Sequence, residues 1–376
     1  MSLENHLSEK DGKTPQKPRF FRLESPKEAE ALEALLKGGR ISGVVDDFAE
    51  QLSELYAVTH PQEIFSPDFT GKVAEHLEKL SAETPLFRRG VWVYYPWLST
   101  VVHILSKANF LTLRTARNRN LITKEEQEKY ASAVIGIGGL SVGSNVALAL
   151  ALSGGGAYFR LADPDMLALS NTNRILGGIQ NLGLPKVEMT ARMLYEINPY
   201  LEIELFSEGL NKENISGFFA GREGKPSLDI VVDELDNLAV KYLIREQAKK
   251  HRLAVVMAAD NGDGSVVDIE RYDLDAETPF FHGRMGNVSY EELAKLDKQG
   301  IGRMITKHIG QENVTERMQE SLREIGKTIV SWPQLGGAAM LSGASVAYSV
   351  RKILLGQPIE SNRAVVSLEK LLSGKK

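Results

Sequence analysis

One stretch constrains this chain more than any other. Ser132 to Asp163, SAVIGIGGLSVGSNVALALALSGGGAYFRLAD, reads as strand, glycine-rich turn, helix, second strand and terminal acid. Ala133 to Ile137 is a short apolar, partly β-branched run of the kind a buried parallel strand shows, and Gly136, Gly138 and Gly139 break it off. Val142 to Leu152 then runs apolar and small over a helical length. A turn of this kind presents backbone N–H groups at a helix N-terminus, where the dipole favours an anion and glycine lets a phosphate approach. Asp163 closes the next apolar run, Ala157 to Ala162, about 20 residues beyond Gly143, the distance at which an acid meets a ribose hydroxyl in dinucleotide-binding βαβ units. The fingerprint G-x-G-x-x-G is not satisfied, because Ser141 stands where the third glycine belongs. A glycine cluster after a strand also serves as a tight turn for close helix packing, so downstream residues must decide.

The flanking sequence extends the pattern. After Asp163 come helix Val187 to Ile197, strand Leu201 to Phe206, helix Lys212 to Phe219, strand Leu228 to Glu234, helix Ala239 to His251 and strand Ala254 to Ala258. Helices alternating with short apolar strands predict an α/β fold, a doubly wound sheet with helices on both faces. Val266 to Tyr272 alternates like a more exposed, antiparallel strand. Tyr290 to Asp297 and Asn313 to Gly326 read as helices joined by a loop, and Leu335 to Leu355 as a long helix rich in Gly and Ala, suited to packing on a sheet or another subunit.

Upstream, Ser25-Pro26 and the run after it carry a helix signature, N-cap, proline at the first position and closing glycine. Further helices are expected at Val45 to Leu55, Phe69 to Leu80 and Leu98 to Leu113, with Trp92, Tyr94, Tyr95 and Trp97 as core or interface. The expected organisation is a disordered tail over residues 1–20, a mainly helical N-terminal domain over 21–110, the doubly wound domain over 111–356 and a C-terminal tail over 357–376.

Composition narrows the function classes. A formal charge of -4 gives no global case for nucleic-acid or membrane binding. No apolar run approaches the roughly 18 residues of a membrane span and the N-terminus is too polar for a signal peptide, so a cytoplasmic location is expected. The chain has no cysteine, which removes disulfides, thiolate nucleophiles, thioester carriers and Cys-ligated zinc. His282 and His308 show no metal-ligand spacing or partner acid and read as ordinary loop residues.

Four short stretches follow the glycine turn: Asp163-Pro164-Asp165, Ser170-Asn171-Thr172-Asn173-Arg174, Pro185-Lys186 and Asp233-Glu234-Leu235-Asp236-Asn237. In this order they resemble the ThiF-type adenylyltransferases, the ATP-dependent superfamily that includes the ubiquitin-activating enzymes and the molybdopterin and thiamine sulfur-carrier activators. The resemblance runs from about Arg114 to Glu270, is strongest between Val134 and Asn237, and includes Ile197-Asn198-Pro199. It implies a Rossmann-like fold and an enzyme that activates a carboxylate by attack on the α-phosphorus of ATP, giving an acyl adenylate and pyrophosphate. By the same resemblance Gly136, Gly138 and Gly139 cradle phosphate, Asp163 holds the ribose and Arg174 and Lys186 are phosphate-binding cations. Asn171 orients a phosphate oxygen, Asp236 is the magnesium-associated acid, and Asp165 shares that environment. Arg119 or Arg117 stands where relatives place an arginine that reaches the partner subunit's ATP, and a homodimer is expected.

Taken singly, Asp163-Pro164-Asp165 is a turn or cap, Lys186 a surface residue and Asp236 a cap for the helix after it. The turn through Leu140-Ser141-Val142-Gly143 is longer than the usual family form, and both the thioester cysteine and the zinc-binding Cys pairs are missing. What remains is adenylation with no thioester step, of a peptide or carrier-protein C-terminus or a small acid, with ATP and Mg²⁺. An NAD(P)-dependent oxidoreductase and a non-catalytic nucleotide-binding pseudoenzyme are the alternatives. Arg174, Lys186 and Asp236 favour the first, because a dehydrogenase needs no cation pair and metal acid around a triphosphate.

Overall fold

The computed structural model describes residues 17–222 and 224–373, in two compact units, Met1–Leu121 and Ile122–Lys376. Residues 1–16 of the expected tail lie outside the described residues, and its last two, Arg19 and Phe20, are not tail but begin the strand Arg19–Phe21.

The first unit holds helices Pro26–Lys37, Phe48–Thr59 and Phe69–Glu83 near their expected places, but it is not a mainly helical domain. It contains a four-stranded sheet of β1 (Arg19–Phe21), β2 (Gly43–Asp46), β3 (Val91–Tyr95) and β4 (Thr100–Ile104), in the order β1-β3-β4-β2. The stretch Leu98 to Leu113, expected as one helix, divides into β4 and the helix Lys107–Arg114. Its first half, TVVHI, is β-branched and pairs antiparallel with VWVYY across a turn in which Ser99 is left-handed, φ 49°. All five residues of β3 are buried, and the His103 ring of β4 stacks between Trp92 at 4.2 Å and Phe48 at 4.0 Å.

The second unit is built on a seven-stranded sheet. Its strands are β5 (Val134–Gly138), β6 (Tyr158–Ala162), β7 (Glu202–Phe206), β8 (Ile230–Asp233), β9 (Ala254–Asn261), β10 (Gly264–Arg271) and β11 (Asn362–Val366), ordered β11-β10-β9-β8-β5-β6-β7. The five strands from β7 to β9 run parallel, and β10 and β11 add antiparallel. From β5 the chain winds out through β6 and β7, then returns past β5 to lay down β8 and β9. The order therefore reverses between β5 and β8, and at such a switch point the strand C-termini open a crevice.

Helices Val142–Leu152, Lys186–Ile197 and Gly336–Leu354 pack together on one face, and Ile215–Ala220, Leu238–His251 and Tyr290–Ala294 on the other. The second face is seated on Phe206, Phe218, Phe219, Leu228, Val231 and Ile244, all buried, each contributing about 1.5–3 kcal/mol by leaving water. The small residues of Gly336–Leu354 are used inside the subunit: a Cβ at Gly343 would lie 2.7 Å from Asn145 Cβ, so the glycine lets this helix close onto Val142–Leu152.

Three elements of this unit were missed, one of them the helix Leu368–Leu372 inside the expected C-terminal tail. Lys298–Ile309, read as a loop, is a helix capped by Asp297, and residues 362–366, inside the expected C-terminal tail, are the edge strand β11. Among the described residues no helix is long and apolar enough to cross a membrane.

Candidate functional site

The switch-point crevice is floored by the turn Gly139-Leu140-Ser141 between β5 and the helix Val142–Leu152. Gly139 has φ +83°, and a Cβ there would collide with the Glu234 carbonyl after β8. Its N–H donates to the Ala162 carbonyl at 2.8 Å, and the next N–H, of Leu140, donates to Asp163 Oδ2 at 2.7 Å. Gly136 lies within β5, where a Cβ would meet the Phe218 ring at 2.9 Å, and Gly138 at its end faces Leu235. The three glycines thus bring strands and turn into close contact. The N–H groups that open toward an anion are those of the helix N-terminus, Ser141 to Gly143, which have no intrahelical acceptor.

Asp163 and Lys186 flank one side of this turn. Asp163 follows β6 and is buried; besides Leu140 its carboxylate takes the Asp165 N–H at 2.8 Å on Oδ1. Burial pushes its carboxyl up, opposed by the Leu140 N–H and the Lys186 ammonium. Lys186 opens its helix with its amine 2.8 Å from Asp165 Oδ2 and 3.7 Å from Asp163 Oδ1, and its side chain is only 8% exposed. It is not the surface lysine that the sequence alternative allowed.

Arg174 flanks the other side. Its Nε donates to Ser141 Oγ at 2.9 Å, its Nη1 to the Ser170 carbonyl at 3.2 Å and Asn173 Oδ1 at 2.8 Å, and Asn145 Nδ2 holds its carbonyl at 3.0 Å. Nη2 keeps no hydrogen bond among the described residues. Burial lowers the guanidinium's pKa, against the pull of Asp260 and Asp236. Asn171 spends its Oδ1 on the Ala168 N–H at 3.1 Å, closing the short turn that starts this loop.

Asp236 is exposed and makes no hydrogen bond among the described residues. The helix Leu238–His251 is capped by its neighbour, Asn237, whose Oδ1 accepts from Ala239 and Val240 N–H groups. The cap reading of Asp236 is thereby removed, and its carboxylate stands open at the crevice. No three acids or histidines gather to hold a metal among the described residues. One free carboxylate with phosphate oxygens for the rest of the shell is how Mg²⁺ is commonly bound, so the residues present fit a metal carried by a nucleotide.

The crevice therefore unites Asp163, Asp165, Lys186, Arg174 and Asp236 around one helix N-terminus. Arg119 belongs to the first unit, follows the turn Ala116–Asn118 and is exposed, as is Arg117.

Sequence reasoning missed the buried ions around this site. Asp233, at the end of β8, is fully buried between Arg245 Nη1 at 2.6 Å and Lys241 at 3.2 Å; burial pushes its carboxyl up, but these cations hold it below the usual range. Arg245 continues to Glu270 on β10 at 2.7 Å. His282 and His308 are not ordinary loop residues. His282, itself left-handed at φ 51°, bonds Asp268 Oδ1 at 3.0 Å, and His308 is buried in Lys298–Ile309 with Nε2 3.2 Å from Met257 Sδ. The i, i+4 spacing of Lys241 and Arg245 on one helix was the available signal for this cluster.

A sheet whose parallel strands carry a charged crevice at their switch point is the arrangement of Rossmann-like α/β proteins. Within that class the chain belongs to the ThiF family, whose family model matches residues 115–371. It is 37% identical over 281 residues to the uncharacterized protein MT1398 of Mycobacterium tuberculosis, covering 75% of this chain and 38% of that relative's length. The chain thus spans well under half of that protein. It is 28% identical to the molybdopterin-synthase adenylyltransferase of Haemophilus influenzae over 49% of this chain and 71% of the relative. Among solved structures, the E. coli tRNA N6-threonylcarbamoyladenosine dehydratase TcdA in complex with ATP aligns at TM-score 0.45 and 19% identity, over 67% of this chain and 97% of that one.

Proposed function

We propose that this protein is an ATP-dependent adenylyltransferase that activates a carboxylate with no thioester step. A carboxylate oxygen attacks the α-phosphorus, the bond to the bridging oxygen of the β-phosphate breaks, and pyrophosphate leaves with that bond's electron pair. Arg174 binds the phosphates through Nη2, held in place by Ser141 and Asn173, and Lys186 steadies Asp163 beside the turn while offering its charge to the same anions. Asp163 retains lone pairs for ribose hydroxyls. A magnesium ion at Asp236 would neutralise charge building on the departing pyrophosphate. The observation that carries this reading is that, among the described residues, Arg174 Nη2 and the Asp236 carboxylate make no hydrogen bond while acting on each other electrostatically beside the turn. Without cysteine, the adenylate passes to an amine, an amide or another external nucleophile.

The acyl substrate is a peptide or carrier-protein C-terminus or a small acid, and the working form is a homodimer, with Arg119 or Arg117 serving the partner's nucleotide. The family's ATP-binding members and the cation pair support this over a dinucleotide oxidoreductase. Equilibrium binding of ATP against NAD tests the nucleotide, and pyrophosphate release with candidate acids tests the chemistry. NAD bound more tightly than ATP would overturn the reading, and ATP binding with no turnover on any acid would leave the pseudoenzyme.

A further inference from the structure

The end of β9 carries a carboxylate that the chemistry above does not use. Asp260 is 4% exposed and lies on the same edge of the sheet as Asp163 and Asp236. Its Oδ1 accepts from Ser342 Oγ at 2.8 Å, and its Oδ2 from Gln334 Nε2 at 3.1 Å. Ser342, on the helix Gly336–Leu354, shares a further 2.8 Å hydrogen bond with Ser265 on β10. The carboxylate is thus pinned from two sides, and it pins Gln334 in return.

Gln334 leads back to the crevice. Its carbonyl accepts from Asn173 Nδ2 at 2.8 Å, and Asn173 Oδ1 accepts from Arg174 Nη1 at 2.8 Å. A Cβ at Gly336 would clash with the Asn173 carbonyl, so the strap before the long helix lies hard against the loop that carries Arg174. Asp260 and Arg174 act on each other electrostatically, but Asp260 forms no ion pair among the described residues.

We propose that Asp260 is a positioning residue for Arg174: by anchoring Gln334 it fixes Asn173, and through Asn173 it aims the guanidinium into the crevice. The inference rests on the nucleotide reading above. Two physical effects of Asp260 oppose each other, and this makes the sign of a substitution informative. As a bare negative charge beside a triphosphate site it repels the ligand, so its neutralisation would tighten ATP binding. As an anchor it holds a phosphate ligand in place, so its loss weakens binding.

The test is ATP affinity by calorimetry for the full chain and for Asp260→Asn, Gln334→Ala, Arg174→Ala and the two doubles with Arg174→Ala, alongside thermal unfolding. Asp260→Asn is expected to weaken ATP on the order of tenfold, as coupled members of one hydrogen-bond network do. With Arg174 already removed, neither second substitution should weaken it further. Unchanged or tighter binding by Asp260→Asn, or losses that multiply in the doubles, would overturn the proposal. A purely structural role predicts a lower melting temperature with ATP affinity unmoved. Should Asp260→Asn fail to fold, Gln334→Ala cuts the same strap from a half-buried position, and the same coupling with Arg174 must appear there. No ATP binding by the unsubstituted chain would sink the nucleotide reading and this inference together, whereas ATP binding that only Arg174→Ala weakens would sink this inference alone.

Discussion

The residues of the crevice divide by what else they hold up. Among the described residues Asp236 makes no hydrogen bond, so Asp236→Asn should leave the melting temperature and ATP binding nearly unchanged while ATP-pyrophosphate exchange falls steeply, most at limiting magnesium; equal rates across a magnesium titration would remove it from the metal role. Asn237→Ala should do the opposite, costing about 1 kcal/mol of stability through the lost cap with little effect on the metal dependence. Lys186 differs again, because its amine lies between two carboxylates, one of them buried. Lys186→Met should both weaken ATP binding and destabilise by about 1–3 kcal/mol, since Asp163 would be left desolvated without its cation. Residue type and order singled out Arg174 and Asp236 from sequence, and the structure sets the first against Ser141 of the turn and leaves the second exposed after β8. Sequence did not show what packs against the glycines: Gly136 and Gly139 meet Phe218 and the Glu234 carbonyl, partners far along the chain that no local pattern reveals. The partners of Asp233 and Asp260 were invisible for the same reason, being set by sheet order.

At the scale of elements, the parallel strands and their helices were legible because each combines an apolar run with a bounded helical period. The strands of the first unit were not. Five-residue runs such as VWVYY and TVVHI look alike in a strand and in a buried helix turn, and only their pairing decides. The long helix offers a direct test of how it is seated. Gly343→Ala should destabilise by about 1–3 kcal/mol, because the new methyl meets the Asn145 backbone and side chain. Gly302→Ala, in the helix Lys298–Ile309 with nothing within 4 Å, should stabilise by about 0.5–1 kcal/mol. Denaturant unfolding of the two variants reads both signs. The turn Phe280–Gly283 is pH-sensitive through His282, whose hydrogen bond to Asp268 raises its pKa. A raised value means stability fully present below the ordinary histidine range and lost as pH climbs through the folded-state value. His282→Asn, a residue tolerant of positive φ, should therefore lower the melting temperature clearly at about pH 5.5 and hardly at about pH 9. Equal losses at both would mean the pair carries no charge.

For the whole molecule, two units with their own sheets and cores predict that a fragment beginning at Ile122 folds cooperatively, checked by a single unfolding transition, and that it binds ATP more weakly than the full chain for want of Arg117 and Arg119, checked by calorimetry. A homodimer, expected from the resemblance, should show in light scattering, with Gly343 of the small-residue helix already taken up by Asn145 inside the subunit. The two units divide between Leu121 and Ile122, beyond the expected boundary at residue 110, and the sheet of the first unit was not legible. The edge strand β11 bears on how the protein comes into being. Arg363 on β11 ion-pairs with Asp268 and donates to the carbonyl of Ile309, and β11 itself hydrogen-bonds along β10, which precedes it by about ninety positions. A chain emerging from the ribosome can lay down β5 to β10 long before β11 appears, at a synthesis rate of about 5–20 residues per second. During those seconds the growing sheet shows a bare edge on β10, and the Asp268 carboxylate lacks its arginine. Nascent chains stalled short of Arg363 are therefore the ones that chaperones and proteases should find.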